Sequence, residues 1–227
     1  MINLKNYTEL GVLAMVAAAN AALLVFIKIA AEVSEGETEV LDLAILMWLR
    51  SPTDPSDPLG PLWLEDFVRD ITALGSPIVL GLLVLTSIIY LVLAGQRLLW
   101  LFMLLATGSG ALASLGLKAL FGRDRPGLSL HGMPVYASSF PSGHAMLSTL
   151  VYLTLATLIA RLAPSPVLKL YIMVVALAFS TLVGISRIYL GVHWPTDVLA
   201  GWAAGAAWAL ACGAIARIIH LGTGETP

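Results

Sequence analysis

Residues 141–162 read PSGHAMLSTLVYLTLATLIARL, a polar tetrapeptide followed by an almost entirely apolar stretch. An α-helix needs about 20 apolar residues to cross the hydrocarbon core of a bilayer. The stretch after His144 therefore predicts a membrane-spanning helix, with the tetrapeptide at one membrane boundary. An ionisable residue such as His144 is costly at that depth, which makes it a functional candidate by default.

Five more stretches are long and apolar enough to span. The six predicted spans lie near Leu10–Ala31, Ile71–Gly95, Leu98–Leu117, Ala145–Leu162, Val167–Ile185 and Val198–Ile219. Of the 227 residues, 59% are hydrophobic and 11% are charged, whereas soluble domains have about 25% charged residues. We therefore predict an all-α polytopic membrane protein, a six-transmembrane-helix bundle forming a single membrane-embedded domain over residues 1–227.

Residues 32–70 form the only sizeable stretch outside these spans. Within it, residues 40–50 (VLDLAILMWLR) are too few to span and are typical of an amphipathic helix lying in the membrane interface. A proline-rich turn and a second short amphipathic piece, Leu62–Asp70, follow. The pattern fits either a surface helix that anchors the bundle or a cover that steers a lipid headgroup into a pocket.

The basic residues of the loops bear on orientation. With the N-terminus inside, the inner side holds Lys5, Arg97, Arg161, Lys169 and Arg217, and the outer side holds Arg50, Arg69, Lys118, Arg123, Arg125 and Arg187. Raw counts do not decide. If the candidate site cations Lys118, Arg125 and Arg187 are left out, the inner side is the richer one, which favours a cytoplasmic N-terminus.

Three polar segments flank the later spans: Lys118–Pro126, Pro141–His144 and Ser186–Asp197. The parity of the spans places all three on one membrane face. The N-termini of the fourth and sixth spans also point toward that face, and helix N-termini offer unpaired N–H groups and positive potential to an anion. Ser142 suits the N-cap of the fourth span, and Gly143 allows the backbone to approach an anion. The segments together predict a phosphate site.

The charged groups of these segments can be assigned as a nucleophile with its supporting carboxylate, a general acid and phosphate-binding cations. His193 is followed four residues later by Asp197, which can fix its tautomer and leave the other ring nitrogen as a nucleophile toward phosphorus. His144 can act as the general acid. The cations Lys118, Arg125 and Arg187 can neutralise the phosphoryl oxygens. No acidic cluster resembles a Mg²⁺ or Zn²⁺ site, so we expect no metal ion and no other cofactor.

Taken singly, each of these residues also fits a structural role. Lys118 and Arg187 lie at predicted helix C-termini, where cations complement the helix dipole. Asp197 could stabilise the first turn of its helix. Arg123 could pair with Asp124, or could contact a second phosphate; we favour the pairing. The occurrence of the other charges on one face favours a site over coincidence.

Lys118–Pro126, Pro141–His144 and Ser186–Asp197 resemble the complete three-part signature of the type 2 phosphatidic acid phosphatase superfamily, which includes vanadium haloperoxidases. Six residues separate Lys118 from Arg125, five separate Arg187 from His193, and three separate His193 from Asp197. The resemblance implies that His193 is the nucleophile, supported by Asp197, and that His144 is the acid. It implies phosphate binding by Lys118, Arg125, Ser142, Gly143 and Arg187.

By this resemblance we expect an integral-membrane lipid phosphatase that acts through a phosphohistidine. The expected substrates are phosphatidylglycerophosphate, undecaprenyl diphosphate, phosphatidic acid or a lipid A phosphate, and the expected partners are this lipid and the bilayer, with no nucleic acid. We expect the bacterial cytoplasmic (inner) membrane, with the site facing the periplasm. A lipid phosphotransferase using the same site is the alternative. A transporter fits less well, because the span interiors are almost devoid of ionisable groups.

Overall fold

The computed structural model describes residues 4–127 and 138–222. Its helices are α1 (Leu4–Ser34), α2 (Glu39–Trp48), α3 (Leu62–Ala73), α4 (Pro77–Leu93), α5 (Arg97–Leu120), α6 (Gly143–Leu162), α7 (Pro166–Tyr189) and α8 (Pro195–Gly222). The only β pairing in the described residues is an isolated bridge between Arg50 and Pro58. The prediction of an all-α protein is confirmed.

Five helices, α1, α5, α6, α7 and α8, are long and apolar enough to cross a membrane, and α3 with α4 makes a sixth span if the bent pair is counted as one. The six-span prediction is confirmed in that form. The amphipathic piece predicted over Leu62–Asp70 lies within α3, and the span predicted near Ile71–Gly95 corresponds to α4, which starts at Pro77 rather than at Ile71. The chain bends by 43° between α3 and α4. Ser76 caps the new helix by accepting a hydrogen bond from Val79 N at 3.2 Å, and Pro77 starts it because proline suits a first turn but not a helix interior.

The centre of the bundle is α6, which packs against α7 and α8, while α1 packs along α8. The small residues of α8 allow a close approach to α6. A Cβ added at Gly201 would lie 2.7 Å from the carbonyl oxygen of Ser142, and one added at Gly205 would lie closer still to the carbonyl oxygen of Met146. Large apolar side chains such as Leu24, Leu93 and Leu112 are exposed on the outside, as a surface in contact with lipid requires.

The interfacial helix predicted over residues 40–50 is present as α2. Its buried residues are Asp42 and Leu46, while Val40 and Trp48 are 83% and 79% exposed. After the helix, Arg50 Nη2 donates to the carbonyl oxygen of Tyr189 at 3.0 Å. Thus α2 turns Asp42 and Leu46 toward the protein, whereas its other apolar side chains face mainly outward.

We expect Gly205→Ala to destabilise the bundle, because the new methyl group would collide with the backbone of α6. Overpacking of this kind costs about 1–3 kcal/mol, and each kcal/mol lowers Tm by about 2–4 °C in a chain of this size. Gly81→Ala is the matched control, because a Cβ there meets no atom within 4 Å. Thermal unfolding in detergent would measure both variants. Equal Tm values would contradict the close α6–α8 contact.

Candidate active site

The C-terminal ends of α5 and α7 and the N-terminal ends of α6 and α8 meet at one face of the bundle. The Ser142 N–H, before α6, donates to the carbonyl oxygen of Asp197 on α8 at 2.9 Å. Arg125, which follows α5, lies with its Nη1 3.3 Å from His193 Nε2 in the α7–α8 loop. All eight residues predicted for the site therefore lie on segments that converge here.

His193 is held by a carboxylate on one side and a guanidinium on the other. Its ring is 2% exposed, and its Nδ1 lies 3.3 Å from Oδ2 of Asp197. Because an ionised carboxylate only accepts hydrogen bonds, Nδ1 carries the proton. Nε2 is then left with its lone pair directed toward Arg125, whose Nη1 also donates to the carbonyl oxygen of Val192 at 2.7 Å.

Asp197 is itself fixed by several donors. The Trp194 N–H donates to its Oδ2 at 2.9 Å. The hydroxyl group of Ser139 donates to the same oxygen and lies 3.4 Å from His193 Nδ1. Arg123 Nη1 donates to Oδ1 at 2.7 Å. This carboxylate is therefore immobilised before any substrate arrives.

Burial first, and the charges of Arg125 and Arg187 second, lower the pKa of His193 to about 4, against an opposing effect of Asp197. The ordinary pKa of histidine is about 6.5. The imidazole is therefore neutral at pH 7, which is the form that a nucleophile requires.

The cations surround the start of α6. Lys118 Nζ donates to the carbonyl oxygen of Ser138 at 3.0 Å and interacts electrostatically with Arg125 and Arg187. Arg187 Nη1 donates to Thr72 Oγ1 at 3.1 Å, whereas its buried Nε has no hydrogen-bond partner among the described residues. A buried guanidinium donor without a partner is costly, and a bound oxyanion would satisfy it.

Gly143 and His144 form the first turn of α6 inside this ring of cations. A Cβ added at Gly143 would lie 3.1 Å from Cε of Lys118, so any larger residue would crowd the lysine. His144 is half-buried and lies within electrostatic range of Lys118, Arg125, Arg187 and His193. The first N–H groups of a helix have no partner within it, so the turn adds backbone donors to the cations.

Ser142 is buried and occupies the N-cap position of α6. Its Oγ accepts from Ala145 N at 3.5 Å, and its own N–H is engaged by Asp197. In this arrangement Ser142 shapes the turn, and the backbone donors turned toward an anion are those that follow it.

Arg123 is not placed as the sequence predicts, because its partner is not Asp124. Its Nη2 lies 2.7 Å from Oδ2 of Asp42, and its Nη1 lies 2.7 Å from Oδ1 of Asp197. The carbonyl oxygen of Asp124 instead accepts from Trp194 Nε1 at 2.9 Å. With two carboxylates as partners, Arg123 is not available for a second phosphate.

Asp42 is a residue near the site that the sequence analysis did not single out. It is the one carboxylate in the apolar run 40–49, and a charge in such a run is a signal in its own right. Among the described residues, no group of three or more His, Cys, Asp or Glu side chains is arranged to hold a metal ion.

Residues 98–218 match the family described as the PAP2 superfamily. Phosphatidylglycerophosphatase B of Bacillus subtilis (strain 168) is 37% identical over 152 residues, which cover 63% of this chain and 70% of that protein. The chain belongs to the PAP2 superfamily. The family predicted from the three motifs is thereby confirmed.

A further relative and two solved structures extend the comparison. An undecaprenyl-diphosphatase of Sulfolobus acidocaldarius is 40% identical over 67 residues, 30% of this chain and 28% of that one. The crystal structure of a transmembrane PAP2 type phosphatidylglycerolphosphate phosphatase from Bacillus subtilis superposes with a TM-score of 0.77 at 29% identity, covering 88% of this chain and 96% of that chain. Aquifex aeolicus LpxE gives 0.54 at 25% identity, with 80% and 95% covered. The protein is therefore a multi-span membrane phosphatase of the PAP2 superfamily.

We predict that the ring of His193 stays neutral down to about pH 4. In NMR spectra of histidine-labelled protein in detergent, the ring signal that disappears in His193→Gln should not titrate between pH 5 and 8. The physical reason is the burial that lowers its pKa to about 4. A titration midpoint between pH 6 and 7 for that signal would contradict the arrangement.

Proposed function

We propose that this PAP2 phosphatase removes the terminal phosphate from the phosphomonoester or diphosphate headgroup of a membrane lipid through a covalent phosphohistidine at His193. The observation that carries the proposal is the neutral imidazole whose Nε2 faces the cationic pocket, 3.3 Å from Arg125 Nη1. The names of the relatives, which describe phosphatases of phosphatidylglycerophosphate and undecaprenyl diphosphate, support the substrate class.

In the first step, Nε2 of His193 attacks the phosphorus atom and forms an N–P bond. The bond breaks between phosphorus and the leaving oxygen, which is the lipid oxygen of a phosphomonoester or the bridging oxygen of a diphosphate. Its electron pair stays on that oxygen, which takes a proton from His144. Lys118, Arg125 and Arg187 hold the other phosphoryl oxygens and neutralise their charge, which is the main task of the protein in phosphoryl transfer. The nearby carboxylate of Asp197 stabilises the positive charge that develops on the imidazole ring.

In the second step, a water molecule attacks the phosphorus of the phosphohistidine. His144, now neutral, accepts a proton from the water, the N–P bond breaks, and inorganic phosphate leaves. His193 returns to the neutral form with its proton on Nδ1. Within this scheme Ser142 and Gly143 contribute through the turn that directs the α6 backbone donors at the phosphate.

An apolar cavity near the site favours a lipid substrate over a soluble one. A cavity of about 660 Å³ lies between α1, α5 and α8. Its lining includes Phe26, Leu117, Leu120, Met146, Ala204 and Trp208. Leu117 directly precedes Lys118 in sequence. Phe140, two residues before Ser142, stacks on Phe26 with the ring centroids 6.0 Å apart. A lipid with an acyl chain in this cavity would have its headgroup close to the cations.

Phosphatidylglycerophosphate is the first substrate to test, followed by undecaprenyl diphosphate, phosphatidic acid and a lipid A phosphate. We place the protein in the bacterial inner membrane with its site facing the periplasm. The distribution of basic residues supports this orientation, because loops rich in Lys and Arg remain in the cytoplasm.

We expect His193→Ala to abolish phosphate release from phosphatidylglycerophosphate in mixed micelles, because it removes the ring nitrogen that forms the covalent bond to phosphorus. Removal of a nucleophile typically lowers kcat by about 10⁶-fold. His220→Ala, a change near the other end of α8, is the matched histidine control and should behave as wild type. Substantial turnover by folded His193→Ala would contradict the mechanism.

We also expect the effect of His144→Ala to depend on the leaving group. An alkoxide needs a proton as it departs, whereas p-nitrophenolate does not, so kcat should fall by about 10²–10⁴-fold for a lipid phosphate and far less for p-nitrophenyl phosphate. The measured quantity is the ratio of the two losses. Equal losses for both substrates would remove the general acid role from His144.

A further inference from the structure

A single guanidinium links the interfacial helix α2 to the carboxylate of the active site. Asp42 of α2 is 0% exposed, and its Oδ2 lies 2.7 Å from Arg123 Nη2. The other terminal nitrogen of Arg123 lies 2.7 Å from Oδ1 of Asp197. Since buried charges must be paired to be tolerated, neither carboxylate is independent of Arg123.

Thr196 completes the connection between the two carboxylates. Its N–H donates to Oδ1 of Asp42 at 2.9 Å, and its hydroxyl group donates to Oδ2 of Asp42 at 2.5 Å. The same hydroxyl oxygen accepts a hydrogen bond from Arg123 Nη1 at 2.8 Å. Asp42 therefore holds the first turn of α8, in which Asp197 lies, as well as the guanidinium.

The charges of this group do not cancel. Asp42 and Asp197 contribute one negative charge each and Arg123 contributes one positive charge, so the three side chains together carry one negative charge. When His193 Nε2 bonds to phosphorus, its ring acquires one positive charge while its Nδ1 lies 3.3 Å from Asp197 Oδ2. The surplus negative charge matches the charge that the reaction creates.

We propose that Asp42 is a positioning residue of the reaction: by sharing Arg123 with Asp197, it leaves Asp197 the negative charge that stabilises the His193 ring as it bonds to phosphorus. This inference rests on the proposed function. Without Asp42, Arg123 would be neutralised by Asp197 alone, and the positive ring of His193 would lack a counter-charge.

A second buried charged residue, Arg50 in the turn after α2, contacts the other end of the loop that carries His193. Arg50 donates to the carbonyl oxygen of Tyr189, four residues before His193, while Asp42 binds Thr196, three residues after it. Helix α2 and the turn after it therefore contact both ends of the loop that carries His193. A role in catalysis accounts for the buried carboxylate on α2 and the buried guanidinium just after it, which neither a surface anchor nor a cover requires.

The direct test is Asp42→Asn, which keeps the shape of the side chain and an acceptor for Thr196 but removes the charge. We expect kcat for a short-chain lipid phosphate to fall by about tenfold or more. KM and inhibition by inorganic phosphate should change little, because Asp42 does not touch the phosphate pocket. Glu39→Gln, an exposed carboxylate on the same helix, is the control and should match wild type.

The double variant Asp42→Asn/Arg123→Gln separates charge balance from simple scaffolding. It removes one negative and one positive charge, so Asp197 again carries the surplus negative charge. We expect its kcat to exceed that of Asp42→Asn by about threefold or more, which corresponds to about 0.6 kcal/mol or more of activation free energy. A double variant at or below the single variant would overturn the proposal, as would wild-type kcat in Asp42→Asn.

If Asp42→Asn does not fold, the double variant Asp42→Asn/Arg123→Gln compared with wild type supplies the test, because it buries no unpaired charge and leaves the surplus negative charge on Asp197. A kcat within about tenfold of wild type at unchanged KM would support the proposal, and a folded double variant with no more turnover than His193→Ala would overturn it. Wild-type enzyme in the same assay keeps the two hypotheses apart. Absence of phosphate release from the wild type would instead overturn the proposed function.

Discussion

The carboxylate of Asp197 joins four separate parts of the chain. It lies in the first turn of α8, accepts hydrogen bonds from the loop that carries His193, and binds Ser139 before α6 and Arg123 after α5. The backbone carbonyl oxygen of Asp197 accepts a hydrogen bond from the Ser142 N–H. Asp197 therefore contacts the segments that follow α5 and α7 and those that begin α6 and α8. Because its side chain is buried, each of these hydrogen bonds is stronger than it would be in water.

The bilayer explains why these groups lie together at one end of the bundle. Charged side chains in hydrocarbon are expensive, so the long helices keep apolar residues along their length and carry their cations near an end. At this face the arrangement gathers positive charge, because α6 and α8 present N-termini and α5 and α7 add Lys118 and Arg187 in their last turns. An anion site follows from these two constraints together.

Much of this architecture could be predicted because the relevant signals are local. Hydrophobic length fixed the spans, a four-residue separation placed Asp197 beside His193, and Ser142 with Gly143 marked the start of α6. The start of the second span was placed at Ile71 instead of Pro77, because the residues between them, Thr72–Ser76, include no charged residue. Hydropathy averages over the short segment Leu74–Ser76 at which the helix stops and restarts.

The network around Arg123 could not be predicted from local pattern. Arg123 and Asp42 are 81 positions apart, and a carboxylate on a short, mostly apolar helix is ordinarily expected to face water. Here α2 does the reverse, because the protein side supplies a guanidinium and Thr196 while the lipid side accepts the apolar residues. Asp124, adjacent in sequence, offered a simpler partner for Arg123 that tertiary contacts override.

The central claim is that the buried, neutral imidazole of His193 forms the covalent bond to phosphorus. Rapid acid-free quenching of the enzyme during turnover of a ³²P-labelled lipid phosphate, followed by peptide mapping, tests it most directly. The account predicts a base-stable, acid-labile label on His193 in wild type and none in His193→Ala. A label on a different side chain would contradict it.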